Sequence, residues 1–233
     1  MRRGLSSPAV LERPQRLRLP PPPTRRRRLQ RRIEARRNPL RRVLQVLGRA
    51  DQRALVALRS HGHTELGDRV AQGLGLFGEM GSGWIALAGT GALLQPDRRN
   101  RWLAAATAPP AAILLNYSIK LTIGRQRPLL DDHPPLARAP SKLSFPSAHS
   151  TSSIASAVVL GRVHPPARPA LYAFAGAICA CRPYLGMHYP SDVIAGMTLG
   201  AFVGKVFPLP PERQAEEPPV PAAPPVQTGV GAR

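Results

Sequence analysis

The 233-residue chain carries 33 Lys/Arg against 13 Asp/Glu, a formal charge of +20, and 28 prolines. Its two cysteines, Cys179 and Cys181, imply no disulfide framework, and two ligands alone do not make a zinc site. The mean hydropathy of −0.17 averages a basic, polar segment (residues 1–70) with an apolar one (residues 73–207) and describes neither.

Residues 1–50 are Arg- and Pro-rich and contain only two acids, Glu12 and Glu34. Such a segment buries too little apolar surface to offset its ordering entropy, so a disordered tail is expected. No aromatic residue occurs in residues 1–76, so base stacking is unavailable and no specific nucleic-acid partner is expected. Anionic lipid headgroups are the partner that the tail's charge fits. No apolar run near Met1 has the form of a signal peptide. Residues 51–61, "DQRALVALRSH", place apolar residues at helical spacing, and an interfacial amphipathic helix is expected over 51–72.

The apolar part follows. Residues 73–94, "GLGLFGEMGSGWIALAGTGALL", hold one charge, Glu79, in 22 positions. A continuous helix of that length spans about 33 Å, enough for a bilayer. Residues 102–119 form a second candidate, kinked at Pro109–Pro110, and 147–161, 168–181 and 190–207 are shorter Ala/Gly-rich stretches. The expectation is therefore an all-α, multi-span membrane helix bundle of about five transmembrane helices. It makes an integral membrane protein with the bilayer as partner. Cys179 and Cys181 are read as small packing residues. Residues 208–233, "PLPPERQAEEPPVPAAPPVQTGVGAR", are a second disordered tail.

Three polar stretches interrupt this apolar domain, each joining the end of one segment to the start of the next. In "KLTIGRQRP" Lys120 and Arg127 are seven residues apart and can share a helical face. "SFPSAHSTSS" places Ser147, Ala148 and His149 at a helix start. In "RPYLGMHYPSD" Arg182 lies six residues before His188, and Asp192 four after it. Brought to one face of a bundle, these stretches pool three cations, two histidines, a serine and a carboxylate. Cations neutralise phosphoryl oxygens. One imidazole can attack phosphorus, and the other can protonate the departing oxygen. A carboxylate can fix the tautomer of the attacking ring. Ser147 and the backbone N–H groups that open the helix, Ala148 among them, can hold a further oxygen.

The patterns K-x6-R-P (Lys120–Pro128), P-S-A-H (Pro146–His149) and C-R-x5-H-x3-D (Cys181–Asp192) resemble the three signature motifs of the type 2 phosphatidic acid phosphatase superfamily. The resemblance covers roughly residues 73–207. It implies metal-independent hydrolysis of a lipid phosphate, with no cofactor and no metal ligands. Lys120, Arg127 and Arg182 would grip the phosphate and Ser147 would donate to it. His188 would form a phosphohistidine, Asp192 would orient His188, and His149 would protonate the leaving group. The family's usual glycine before the second-motif histidine is Ala148 here, and its usual serine before the third-motif arginine is Cys181. "SFPSAH" and "HYPSD" look closest to the actinobacterial subgroup linked to decaprenylphosphoryl-phosphoribose, a cell-wall arabinan precursor. The implied substrate is a phosphomonoester on a polyprenyl-linked sugar, with prenyl pyrophosphate, phosphatidic acid or phosphatidylglycerol phosphate as alternatives. A non-catalytic lipid-phosphate binder is the reading of another class, and both histidines with Asp192 weigh against it. A bacterial plasma membrane is the expected location. With five spans the basic tail and all three motifs share one side, which the positive-inside rule makes cytoplasmic.

Overall fold

A computed structural model describes residues 39–130, 132–139 and 141–212. The chain divides into two units, residues 1–47 and 48–233. Of the first, the described part is the opening of helix α1 (Pro39–Ser60), so the expected tail over 1–38 lies outside the described residues, as does 213–233. In the second, the end of α1 is followed by α2 (Glu65–Gly78), α3 (Ser82–Leu94), α4 (Arg99–Ala106), α5 (Ala108–Ile123), α6 (Ala148–Val163), α7 (Arg168–Tyr184) and α8 (Pro190–Val206). Residues 51–72 thus hold the end of α1, a turn with Gly62 at φ 76°, and the first half of α2, whose N-cap Thr64 accepts from the Gly67 N–H.

The architecture is all-α, but the expected membrane-spanning bundle is corrected. Among the described residues no helix is long and apolar enough to cross a membrane. The 22-residue stretch 73–94 is not one helix. It breaks over a 3-10 turn, Glu79–Gly81, where Met80 (φ 51°) and Gly81 (φ 73°) leave helical geometry, and only 13 residues continue as α3. The stretch 102–119 breaks at Thr107, ahead of the Pro109–Pro110 pair, into helices of 8 and 16 residues. α6, α7 and α8 have 16, 17 and 17 residues. At 1.5 Å per residue these reach about 24–26 Å, short of a roughly 30 Å hydrocarbon core. The integral-membrane assignment, the bilayer as partner, the plasma-membrane location and the cytoplasmic placement of the site were all built on those spans and fall with them.

α6 is the central helix and packs against α8, α7, α5 and α4. Its composition explains how. Ser150, Thr151, Ser152, Ser153 and Ser156 are all buried, and short hydroxyls let neighbouring backbones come close while bonding inside the helix. Thr151 donates to the Ser147 carbonyl, Ser152 to His149 and Ser156 to Ser152, and Ser153 accepts from the Trp84 indole at 3.0 Å. α8 faces this surface with Gly196, Gly200 and Gly204, spaced one turn apart. A Cβ on Gly200 would stand 2.4 Å from the Thr151 carbonyl oxygen, and one on Gly196 2.6 Å from that of Ser147. The main apolar cluster, with Trp84, Trp102, Leu160, Val163 and Ile178, lies where α3, α4, α6 and α7 meet. Large apolar side chains also stand outside it, Leu76, Leu93, Leu114 and Phe202 among them.

The α6–α8 seam makes a prediction. Gly200→Ala should cost about 1–3 kcal/mol through overpacking against backbone that has nowhere to move. Gly89→Ala on α3, where nothing lies within 4 Å of the new Cβ, should be neutral or stabilise by about 0.5–1 kcal/mol. Thermal unfolding of the two variants checks this. Equal midpoints would mean that the seam is not tight.

Candidate active site

The three polar stretches converge. Lys120 lies in the last turn of α5, Arg127 just beyond it, Ala148 and His149 at the start of α6, Arg182 near the end of α7, and His188 in the turn before α8. All six line one cavity of roughly 100 Å³, together with Glu79, Met80, Ile113, Tyr117, Ser141 and Ser152. α5 ends at Gly124, whose φ of 66° turns the chain back, and Ser144 N–H then bonds the Arg125 carbonyl at 2.8 Å. This closes the loop that carries Arg127 under the cavity. Gly186 (φ 73°) does the same after α7, and Met187 N–H returns to the Arg182 carbonyl at 3.0 Å.

Lys120 and Arg182 are buried and Arg127 is half-buried, yet none of the three pairs with a carboxylate within 4 Å among the described residues. Lys120 Nζ reaches only the Leu143 carbonyl at 3.3 Å. Arg127 donates to the Ser141 and Met187 carbonyls, at 2.8 and 2.7 Å. Arg182 Nε has no hydrogen-bond partner. Burial, with Arg127 beside it, lowers the Lys120 ammonium to about 8. Burial, then Arg182, lowers the Arg127 guanidinium to about 10. Burying cations without a counter-ion is costly, and the arrangement is relieved by an anion in the cavity.

The two imidazoles sit in different surroundings. His188 is 1% exposed. Its Nε2 lies 3.0 Å from Arg127 Nη1, and its Nδ1 3.7 Å from Asp192 Oδ2. A guanidinium only donates, so Nε2 holds the lone pair and Nδ1 the proton, aimed at Asp192. Burial, then Arg127, Arg182 and Lys120, drives the ring's pKa far below its ordinary value, so His188 is neutral, with its lone pair facing the cavity. Asp192, at the third position of α8, accepts from the Tyr189 N–H at 2.9 Å and from Arg125 at 2.7 Å. Burial pushes its carboxyl up, and Arg125 and the Tyr189 N–H oppose that.

His149 Nε2 lies 3.1 Å from the Gly75 carbonyl and 3.4 Å from Glu79 Oε2. A carbonyl only accepts, so Nε2 carries a proton. Burial lowers the pKa of this ring, and the Glu79 carboxylate raises it. Ser147 is not in the cavity wall. It is fully buried as the N-cap of α6, where its Oγ accepts from the Ser150 N–H and hydroxyl. Asp192 also stands behind the wall, in contact with the cavity through His188.

Two contributors were invisible to motif reading. Glu79 was visible only as the lone charge of an apolar stretch, and the break in that stretch is what brings it to His149. Arg125 sits inside the first motif without belonging to its pattern. Among the described residues no group of three or more His, Cys, Asp or Glu could hold a metal ion. The "DDH" turn at residues 131–133 is no exception. Its Asp132 and His133 join no such group, and Asp131 lies outside the described residues.

One cavity of the helical bundle thus brings together a neutral buried imidazole, a second imidazole and three cations. The PAP2 superfamily model matches residues 101–214. Decaprenylphosphoryl-5-phosphoribose phosphatase of Mycobacterium tuberculosis (strain ATCC 25618 / H37Rv) is 43% identical over 139 residues, covering 58% of this chain and 76% of that protein. The protein described by the same name in Mycolicibacterium smegmatis is 44% identical over 129 residues, covering 54% and 69%. The crystal structure of a transmembrane PAP2-type phosphatidylglycerolphosphate phosphatase from Bacillus subtilis superposes with a TM-score of 0.58 over 70% of this chain and 84% of that one, at 24% identity. The chain belongs to the PAP2 superfamily. It is a phosphomonoesterase of that family, close to the decaprenylphosphoryl-phosphoribose phosphatase subgroup.

The surroundings of His149 yield a prediction independent of turnover. An NMR titration should place its pKa below 6.5, and Glu79→Gln should lower it further, because the carboxylate favours the protonated ring. A rise in the variant would show that Glu79 does not act on His149.

Proposed function

We propose that the protein hydrolyses a phosphomonoester on a lipid-linked substrate, best matched by a polyprenyl-phosphoryl sugar phosphate. The observation that carries the reading is the set of three cations without carboxylate partners facing a neutral imidazole. Lys120, Arg127 and Arg182 take the phosphoryl oxygens, and the Ala148 and His149 N–H groups at the start of α6 can take one more. The lone pair of His188 Nε2 attacks phosphorus as the ester P–O bond breaks, and a proton from His149 goes to the departing alkoxide. Asp192 balances the positive phosphoimidazole. Water then attacks the phosphohistidine, its proton passes to His149, and the P–N electron pair returns to Nε2. The free His149 ring has a lowered pKa, and a bound phosphate dianion beside Glu79 adds negative charge that raises it, so the ring takes up a proton from solvent as substrate binds.

Two observations support a lipid-linked substrate. Met80, Ile113 and Tyr117 form an apolar wall on the same cavity, with Met80 65% and Tyr117 44% exposed, so an apolar portion can lie outward from a gripped phosphate. The relatives at 43–44% identity carry the name of a decaprenyl-linked phosphoribose phosphatase.

Phosphate release from a panel of lipid phosphates tests this directly. Preference for phosphatidic acid or phosphatidylglycerol phosphate over every prenyl-linked sugar phosphate would overturn the substrate assignment. His188→Ala should abolish turnover, whereas His149→Ala should lower it by about 10²–10⁴-fold and leave a trappable phosphoenzyme with a good leaving group. Near-normal activity of His188→Ala would remove it as the nucleophile. Activity should also survive EDTA, since side-chain cations supply the charge that a divalent ion supplies elsewhere. A loss on chelation that magnesium restores would count against the mechanism.

A further inference from the structure

Asp192 is fully buried, and its main cationic partner is Arg125, so what holds Arg125 bears on His188. Arg125 Nη1 donates to Asp192 Oδ1 at 2.7 Å and to Ser191 Oγ at 2.8 Å. Its Nη2 donates to Asp51 Oδ2 at 2.7 Å. Asp51 lies on α1, is 7% exposed, and accepts from the Ser191 N–H at 2.9 Å and from the Ser191 hydroxyl. The guanidinium also lies 4.2 Å from the Tyr189 ring centroid, which limits tilting. One planar fork is thereby divided between two carboxylates, giving each a single nitrogen.

We propose that Asp51 is a positioning residue for the nucleophile. It holds Arg125 in the orientation that binds Asp192 Oδ1, so that Oδ2 stays on the Tyr189 N–H at 2.9 Å and on the side that faces His188 Nδ1. Without Asp51 the fork is free to turn and take both Asp192 oxygens in the bidentate manner arginine prefers. Oδ2 would then be drawn from His188 Nδ1, which already stands at 3.7 Å with no hydrogen-bond partner. Among the described residues Lys120, Arg127 and Arg182 bond neither Asp51, Arg125 nor Asp192, and Arg127 meets the network only through His188 Nε2 at 3.0 Å, so the phosphate grip is largely kept. Asp51 lies outside the residues matched by the family model, which makes α1 an added support for its third motif.

The proposal rests on the phosphatase reading. The test measures kcat and KM for the full chain on the best lipid phosphate of the panel. Asp51→Asn should lower kcat by about tenfold, the scale at which supporting-shell residues act, with KM changed less than twofold. In an Arg125→Ala background the same substitution should have almost no effect, because the link it supports is already cut. An unchanged kcat in a folded Asp51→Asn protein overturns the proposal. So does an equal loss in both backgrounds, or a loss confined to KM or to the folded fraction, which would make Asp51 an anchor for α1 alone. If Asp51→Asn does not fold, Arg125→Lys reads the same link. An ammonium cannot serve both carboxylates in the fork's geometry, so kcat should fall at constant KM, and wild-type kcat there overturns the proposal. A wild type inactive on every lipid phosphate would sink the phosphatase reading and this proposal with it. An active wild type with the failures above sinks only this one.

Discussion

Everything in this site depends on cations that the protein does not neutralise internally. Lys120, Arg127 and Arg182 come from three separate parts of the chain and meet at one small cavity, where their partners among the described residues are carbonyls, a histidine lone pair and the Cys181 thiol rather than carboxylates. Like charges at this distance repel, and burial adds to the cost. The helix packing has to hold them there, and an arriving phosphate is what relieves them. The tight glycine seam between α6 and α8 and the hydroxyl-lined face of α6 belong to that constraint, because they fix the turns that carry His149, His188 and Asp192.

The same electrostatics separate the two imidazoles. His188, deep and beside three cations, cannot charge in the free protein and keeps a lone pair toward the cavity. His149 is lowered by burial and by Arg182 alone of the three cations, and has Glu79 against it, which returns part of its basicity. The same residue type is thus held in two different states by its surroundings, which is what the proposed roles of nucleophile and proton carrier require. The negative charges are kept behind or beside the cations: Asp192 with Arg125 behind His188, and Glu79 at the edge beside His149.

The membrane reading went wrong for an identifiable reason. Runs of Gly, Ala and Leu report burial in an apolar setting, and a window over 73–94 cannot see a residue at φ 51° or a left-handed glycine. The glycines in these stretches mark close contact at Gly91, where a Cβ would meet the Trp102 ring at 2.4 Å, and along Gly196, Gly200 and Gly204. They do so between helices of 8 to 17 residues.

By itself the sequence determined the helical class and singled out the residues that line the cavity, Lys120, Arg127, His149, Arg182 and His188 among them. Spacing of seven, six or four is a local property of the chain. Which ring is neutral, which serine is a cap and which carboxylate holds which histidine were decided by tertiary structure. Ser147 turned inward to cap α6 because a helix start needs its N–H groups satisfied. Glu79 joined His149 across 70 residues because the chain breaks at Met80. Asp51 joined Arg125 across 74 residues because α1 lies against the start of α8. Pairings at such separations leave no periodic trace in the chain, and only the packing of the helices determines them.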